Sequence, residues 1–199
     1  MLKYLLVSLA TVLFIGCSIT VPPKVEYRLN PSIEIQNLSS LGCKDKSLKV
    51  AQAFSSSTLM SQDMSYGLGD SKQYIYSKSQ WSVTPNRAIT AKFLSELKES
   101  KLFKNVQISK SRSSNDYILE INIVDFMQYF DEESKSSTAQ LIVSLTFIDI
   151  KANRVFATKT FTSKIDVETL NASGGVEGLN KVFSKVLLQT NNWYEEVCK

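Results

Sequence analysis

Between Asp116 and Ile165 the chain carries three long runs in which apolar and polar side chains alternate, and these runs constrain the fold more than any other feature. In Asp116 to Phe126, Tyr117, Leu119, Ile121 and Ile123 share one face against Ile118, Glu120, Asn122 and Val124 on the other. Gln140 to Ile150 repeats the pattern with Leu141, Val143, Leu145 and Phe147. Lys151-Ala152-Asn153-Arg154 is a turn into Val155 to Ile165, where Thr and Lys mark a side that faces water. A period of two is that of a β-strand, and one apolar face per strand describes an antiparallel meander packed on one side only. Something must cover the other side of that core. The cover is predicted downstream, where Val176, Leu179, Phe183, Val186, Leu187, Thr190, Tyr194 and Val197 trace a stripe at helical spacing. Ser173 reads as the cap of this helix, with Lys181, Lys185, Asn191 and Glu195 away from the stripe.

The earlier half is less regular. Val25 to Leu29 alternates and reads as a strand ended by Asn30-Pro31, with Ile33, Ile35 and Leu38 extending the pairing weakly. Ser47 to Phe54 reads as the next strand, with Leu48, Val50 and Phe54 inward. Residues 55–72, rich in Ser, Gly and Asp, read as a crossing loop before Gln73 to Val83 resumes β character. Trp81 reads as a plug between that strand and the helix that follows. Thr84-Pro85 opens the helix, since Thr is a good N-cap and Pro is favoured at the first helical position. Ala88, Ile89, Phe93, Leu94 and Leu97 form its apolar face, with Lys92, Glu96, Lys98 and Glu99 outward. Phe103, Val106 and Ile108 lead into one more short strand. Strands, helix, strands, helix predicts a single α+β domain: a mixed, mostly antiparallel sheet with two helices packed on one face.

The first residues belong to a different category. Lys3, the apolar run Leu5 to Ile15 and the small Gly16 form a secretory signal too short to span the ~30 Å bilayer core. Residues 1–16 therefore read as a signal peptide, 17–24 as a tether stiffened by Pro22-Pro23, and 25–199 as the folded domain. Leu13-Phe14-Ile15-Gly16-Cys17 resembles the lipobox of bacterial lipoproteins, which implies lipidation of Cys17 with cleavage just before it. Two acyl chains, at about 0.8 kcal/mol per buried methylene, hold a protein on a membrane. Ser18 stands where Asp would retain the protein at the inner membrane, so by resemblance to that sorting rule the outer membrane is expected, with the domain facing the periplasm.

In such a compartment disulfides persist, and Cys43 and Cys198 remain once Cys17 is lipidated. They read as a candidate bridge or as two independent thiols. The net charge of +4 is too small, and its basic residues too scattered, to argue for nucleic acid.

The chain has no histidine, which removes the commonest general base, the usual triads and most zinc sites. No catalytic residue, metal site or cofactor is expected. Asp131-Glu132-Glu133 reads as the solvated tip of a hairpin. Gly67-Leu68-Gly69-Asp70 and Gly174-Gly175 lack the context of a phosphate-binding loop and read as turns. Phe126, Met127, Tyr129 and Phe130 crowd large apolar groups beside the acidic tip. They read either as strand packing or as an exposed patch for a protein partner or an acyl chain.

Lipobox, tether, Tyr27-Arg28-Leu29, a strand near Leu48 to Phe54, Tyr74 to Trp81 with Pro85 opening a Leu-rich helix, the meander and the long C-terminal helix together resemble the ABC-type transport auxiliary lipoproteins. These include the lipoprotein of the paraquat-inducible operon. The resemblance implies a non-enzymatic component of a mammalian-cell-entry-type lipid transport system working between inner and outer membranes. Its implied partners are the system's substrate-binding protein and its permease and ATPase, with lipid as cargo and room for a homo-oligomer. A lipoprotein that assembles or plugs an outer-membrane barrel, as in lipopolysaccharide export, is the competing expectation.

Overall fold

The computed structural model describes residues 22–32 and 40–199. The signal segment, Cys17, Ile33, Ile35 and Leu38 lie outside these residues. The strands are β1 (Val25–Tyr27), β2 (Ser47–Val50), β3 (Phe54–Ser55), β4 (Asp63–Leu68), β5 (Lys72–Trp81), β6 (Asn105–Ile108), β7 (Tyr117–Phe130), β8 (Ser137–Asp149) and β9 (Arg154–Asp166). The helices are α1 (Pro85–Glu99) and α2 (Ala172–Val197).

All nine strands join one open sheet organised on β7. Along one edge β7 pairs antiparallel with β8, from Tyr117↔Asp149 to Phe130↔Ser137, and β9 continues antiparallel beyond it. Along its other edge β7 serves three short parallel strands in succession: β2 at Tyr117 to Leu119, β3 at Asn122 and Ile123, and β4 at Gln128 to Phe130. β6 extends the sheet from β2, and β5 then β1 extend it from β4. The long ladders are antiparallel and the short ones parallel, apart from the β4–β5 hairpin, which is antiparallel.

One face of this sheet carries the core. Leu119, Ile121 and Ile123 of β7 and Leu141, Val143, Leu145 and Phe147 of β8 are buried together with Ile89, Phe93 and Leu97 of α1 and Leu179, Phe183, Val186 and Leu187 of α2. The rings of Phe93 and Phe183 meet edge to face at 5.7 Å and join the two helices. Each fully buried Leu, Val or Phe contributes about 1.5–3 kcal/mol, so packing rather than propensity holds α2, which contains three glycines worth about 1 kcal/mol each against helix. The opposite face meets water, with hydroxyl pairs Ser144–Thr160 and Thr146–Thr158 across β8 and β9 at 2.6 and 2.9 Å. No described helix is long and apolar enough to cross a membrane.

The structure corrects the predicted elements at several points. Residues 55–72 are not a loop: they hold a 3-10 turn (Ser57–Met60) and β4. Only Met64 and Gly67 of β4 are buried, so its apolar alternation is too sparse to read as a strand. The Ser47 to Phe54 strand breaks after Val50, and the break reverses the parity. Ala53 and Ser55 turn inward, and Phe54 is exposed. Asn171, not Ser173, caps α2, its Oδ1 accepting from the Gly174 N–H at 3.0 Å. Gly174 and Gly175 are therefore helical rather than a turn. Thr84 precedes α1 as expected, but its hydroxyl goes to Asn86 Oδ1 at 2.7 Å instead of capping the backbone. Glu96 and Asn191 both point inward, because α1 and α2 pack against each other as well as on the sheet.

Candidate functional site

Phe126, Met127 and Phe130 are buried, so they do not form an exposed patch. A bulge between Ile123 and Asp125 adds one residue to β7 and resets its alternation. After it Phe126 packs on Trp81 with ring centroids 6.1 Å apart, and Phe130 packs edge to face on Tyr66 at 5.4 Å. Gln128 lies between them with both ends of its amide bonded: Tyr76 donates its hydroxyl to Oε1 and Nε2 donates to Ser137 Oγ, both at 2.9 Å. Burial and the neighbouring Tyr66 push the Tyr76 phenol well above its ordinary range. Tyr129 is half-buried, covers Gly67 and donates to Asp125 Oδ1 at 2.8 Å. Trp81 is buried, and its ring contact is with Phe126.

The acidic tip is built as a turn. The Ser136 hydroxyl and the Lys135 N–H hold the Asp131 carboxylate below its usual range, and Glu133 pairs with Lys135. Beside it a shallow cleft of about 520 Å³ is edged by Asp70, Asp131 and Glu132 and by Lys164 of β9. At the other end of the strands Asp116 is held below its usual range by the Ser47 N–H and hydroxyl, which fastens β2 to β7.

Cys43 and Cys198 are joined by a disulfide that closes a separation of 155 residues, with Cα atoms 5.2 Å apart. The turn before β2 lies directly on the end of α2. The Ser40 hydroxyl donates to the Cys198 carbonyl, and a Cβ on Gly42 would fall 2.2 Å from that oxygen.

A wider surface concavity lies elsewhere, between α1, the segment after β1 and the end of β6. It encloses about 1200 Å³ and opens widely to solvent. Arg28 comes to it from the chain beyond β1, Arg87 and Lys92 from α1, and Lys110 from the turn after β6. Sequence reasoning missed this site because its basic residues are scattered along the chain. The available signal was the face of α1 on which Arg87, Ala91 and Ser95 recur every fourth residue, which could have been read as a second surface of that helix.

Behind α1 a polar cluster is sealed in the core. Glu96, Asn191 and Tyr194 are buried, and the Glu96 carboxyl, the Asn191 amide and the Tyr194 hydroxyl have no hydrogen bond of standard geometry among the described residues. Burial pushes the Glu96 carboxyl up to about 8, against the opposing pull of Lys92 and the Asn191 side chain.

No family model and no curated protein matches the sequence. Solved structures do share its fold. Protein XCC0632 of Xanthomonas campestris, described by the family model DUF330, superimposes with a TM-score of 0.76 at 14% identity, over 87% of this chain and 96% of that one. A second solved protein, described only as uncharacterized, superimposes with a TM-score of 0.65 at 12% identity over 86% of this chain and 99% of its own. At these identities the likeness concerns the fold alone.

Proposed function

We propose that this chain is a lipid-anchored periplasmic lipoprotein of the outer membrane that serves as the auxiliary component of a mammalian-cell-entry-type ABC lipid transport system. Its role is docking rather than catalysis. The observation that carries the reading is the position of β1. The strand that directly follows the tether is an edge strand, paired among the described residues with β5 alone, and the chain beyond it forms one wall of the wide α1 groove. The surface next to the tether is open to water rather than an enclosed cleft, which suits docking. The order of tether, strands, α1, meander and α2 supports the same reading, because it is the order in which the auxiliary lipoproteins arrange their elements.

The test is crosslinking of intact envelopes followed by purification of the full-length chain and identification of what it holds. The expected captures are a mammalian-cell-entry-type substrate-binding protein with its permease and ATPase. Cys17→Ala, which leaves the precursor unprocessed, should abolish that capture. Recovery of an outer-membrane barrel without any transporter component would overturn the proposal.

A further inference from the structure

Four cations from three parts of the chain, Arg28, Arg87, Lys92 and Lys110, line the α1 groove, and none of them forms an ion pair among the described residues. The one carboxylate in the groove, Glu26, already accepts a hydrogen bond from Gln80 Nε2 at 3.0 Å. The N-terminal end of α1 opens into the same space with no acidic residue in its first turn and no side-chain cap on its backbone. The positive end of the helix dipole, roughly half an elementary charge, adds to the four cations. Glu96, one turn beyond Lys92, is buried and, of the four, acts on that lysine alone, so Arg28, Arg87 and Lys110 keep their charge uncompensated in the groove.

Between the cations the surface is mixed, with Gln52, Ser82 and Ser95 beside a strip of apolar side chains. Leu29, Val83, Ala91, Leu94 and Ile108 form the strip, and Val83 and Ile108 are 46% and 40% exposed. Uncompensated guanidinium groups suit a phosphate, which Arg grips with two parallel N–H donors. The apolar strip suits what is covalently attached to that phosphate. A free phosphate would leave the strip wet, so the complement of the whole surface is an anionic amphiphile. Its volume exceeds the ~300–1000 Å³ of ordinary small-molecule sites, which leaves space for a headgroup and the first part of a chain. Glu26 is nine residues from Cys17, a reach of at most ~30 Å.

We propose that this groove binds one anionic phospholipid, its headgroup phosphate among Arg28, Arg87, Lys92 and Lys110 and the start of an acyl chain along Leu29, Ala91 and Leu94. The inference deepens the reading above and rests on it for the membrane as the source of the lipid.

The test uses the processed full-length chain in detergent, examined by native mass spectrometry during separate titrations with phosphatidylglycerol, phosphatidylcholine and inorganic phosphate. One phosphatidylglycerol should be retained per chain, at least tenfold more tightly than phosphatidylcholine, and inorganic phosphate at comparable concentration should not displace it. Combined Arg28→Gln, Arg87→Gln and Lys110→Gln should weaken retention tenfold or more. Ala91→Glu, an exposed position where folding is not at stake, should do the same by placing a carboxylate in the groove, while Lys159→Gln on β9 should change nothing. Equal retention of the two phospholipids, displacement by phosphate alone, displacement by an acidic peptide at lower concentration, or retention unaffected by both groove variants would each overturn the proposal. No partner protein is present in this titration. Lipid binding without envelope capture would sink only the transport reading, and capture without lipid binding only the groove.

Discussion

Glu96 is a carboxyl carried out of water into the core between two helices. It is fully buried, beside Asn191 and Tyr194 of α2, and its carboxyl is raised from 4.5 to about 8. Burial also raises the Tyr194 phenol, as does the nearby Glu96, while Lys92 and Glu99 are the charged groups that act on Glu96 from its own helix. Between those two values the folded protein holds a proton that the unfolded chain has released. Stability from this group is therefore complete below pH 4.5 and declines as pH rises toward 8, by up to ~1.4 kcal/mol per unit. Glu96→Gln keeps the shape and removes the titration. It should stabilise the protein by about 2–3 kcal/mol at pH 7 and flatten the decline. Urea unfolding of both proteins from pH 5 to pH 9 measures this, and parallel profiles would refute it. No pattern in the sequence singled out this residue, because Glu at position 96 satisfies the polar face of α1 considered as an isolated helix. It is buried by the second helix, which the periodicity of α1 alone does not register.

At the scale of elements, the first turns of α2 show how closely helix and sheet approach. A Cβ on Gly175 would fall 2.0 Å from Gln128 Oε1, and one on Gly178 would fall 2.8 Å from Ala139 Cβ and Val167 Cγ2. The Gln128 oxygen cannot simply swing away, since it accepts from Tyr76 and its amide nitrogen donates to Ser137. Gly175→Ala should consequently destabilise by about 1–3 kcal/mol, although Ala favours helix by about 1 kcal/mol. Chemical denaturation measures the sign, and a stabilised variant would show that the contact yields freely. The meander, α1 and the apolar stripe of α2 were legible because their periodicity extends over many residues and one face of each is buried. β3 and β4 were not, because two to six residues carry too few alternations to outweigh Ser and Gly. The same limit governed the site. Phe126 and Phe130 could be read as strand packing or as a surface patch, and the bulge places them in the core, whereas the basic groove draws its cations from three parts of the chain that no local window joins.

For the whole molecule, the disulfide connects parts that the sheet leaves far apart in the chain. The turn at residues 40–46 leads into β2, on the parallel branch of the sheet, while Cys198 ends the helix that covers β7, β8 and β9. With 155 residues between the cysteines, loop closure predicts a stabilisation of about 5 kcal/mol, and removal of native bridges typically costs about 2–5 kcal/mol. Both sulfurs belong to buried residues, 4% and 2% exposed, so a reductant must wait for local opening. Cys43→Ser and Cys198→Ser should each lower the unfolding free energy by about 2–5 kcal/mol. Hydrogen exchange should increase first in the last turn of α2 and in residues 40–46, where Gly42 and Ser40 contact the Cys198 carbonyl, and only later in β7 and β8. Dithiothreitol should produce the same pattern in the unmodified protein at a rate that follows the opening of that end rather than the concentration of exposed thiol. If the serine variants unfold at the wild-type midpoint, the helix end is held by packing alone. If exchange rises uniformly, the bridge acts on the unfolded chain without locally fastening α2 to β2.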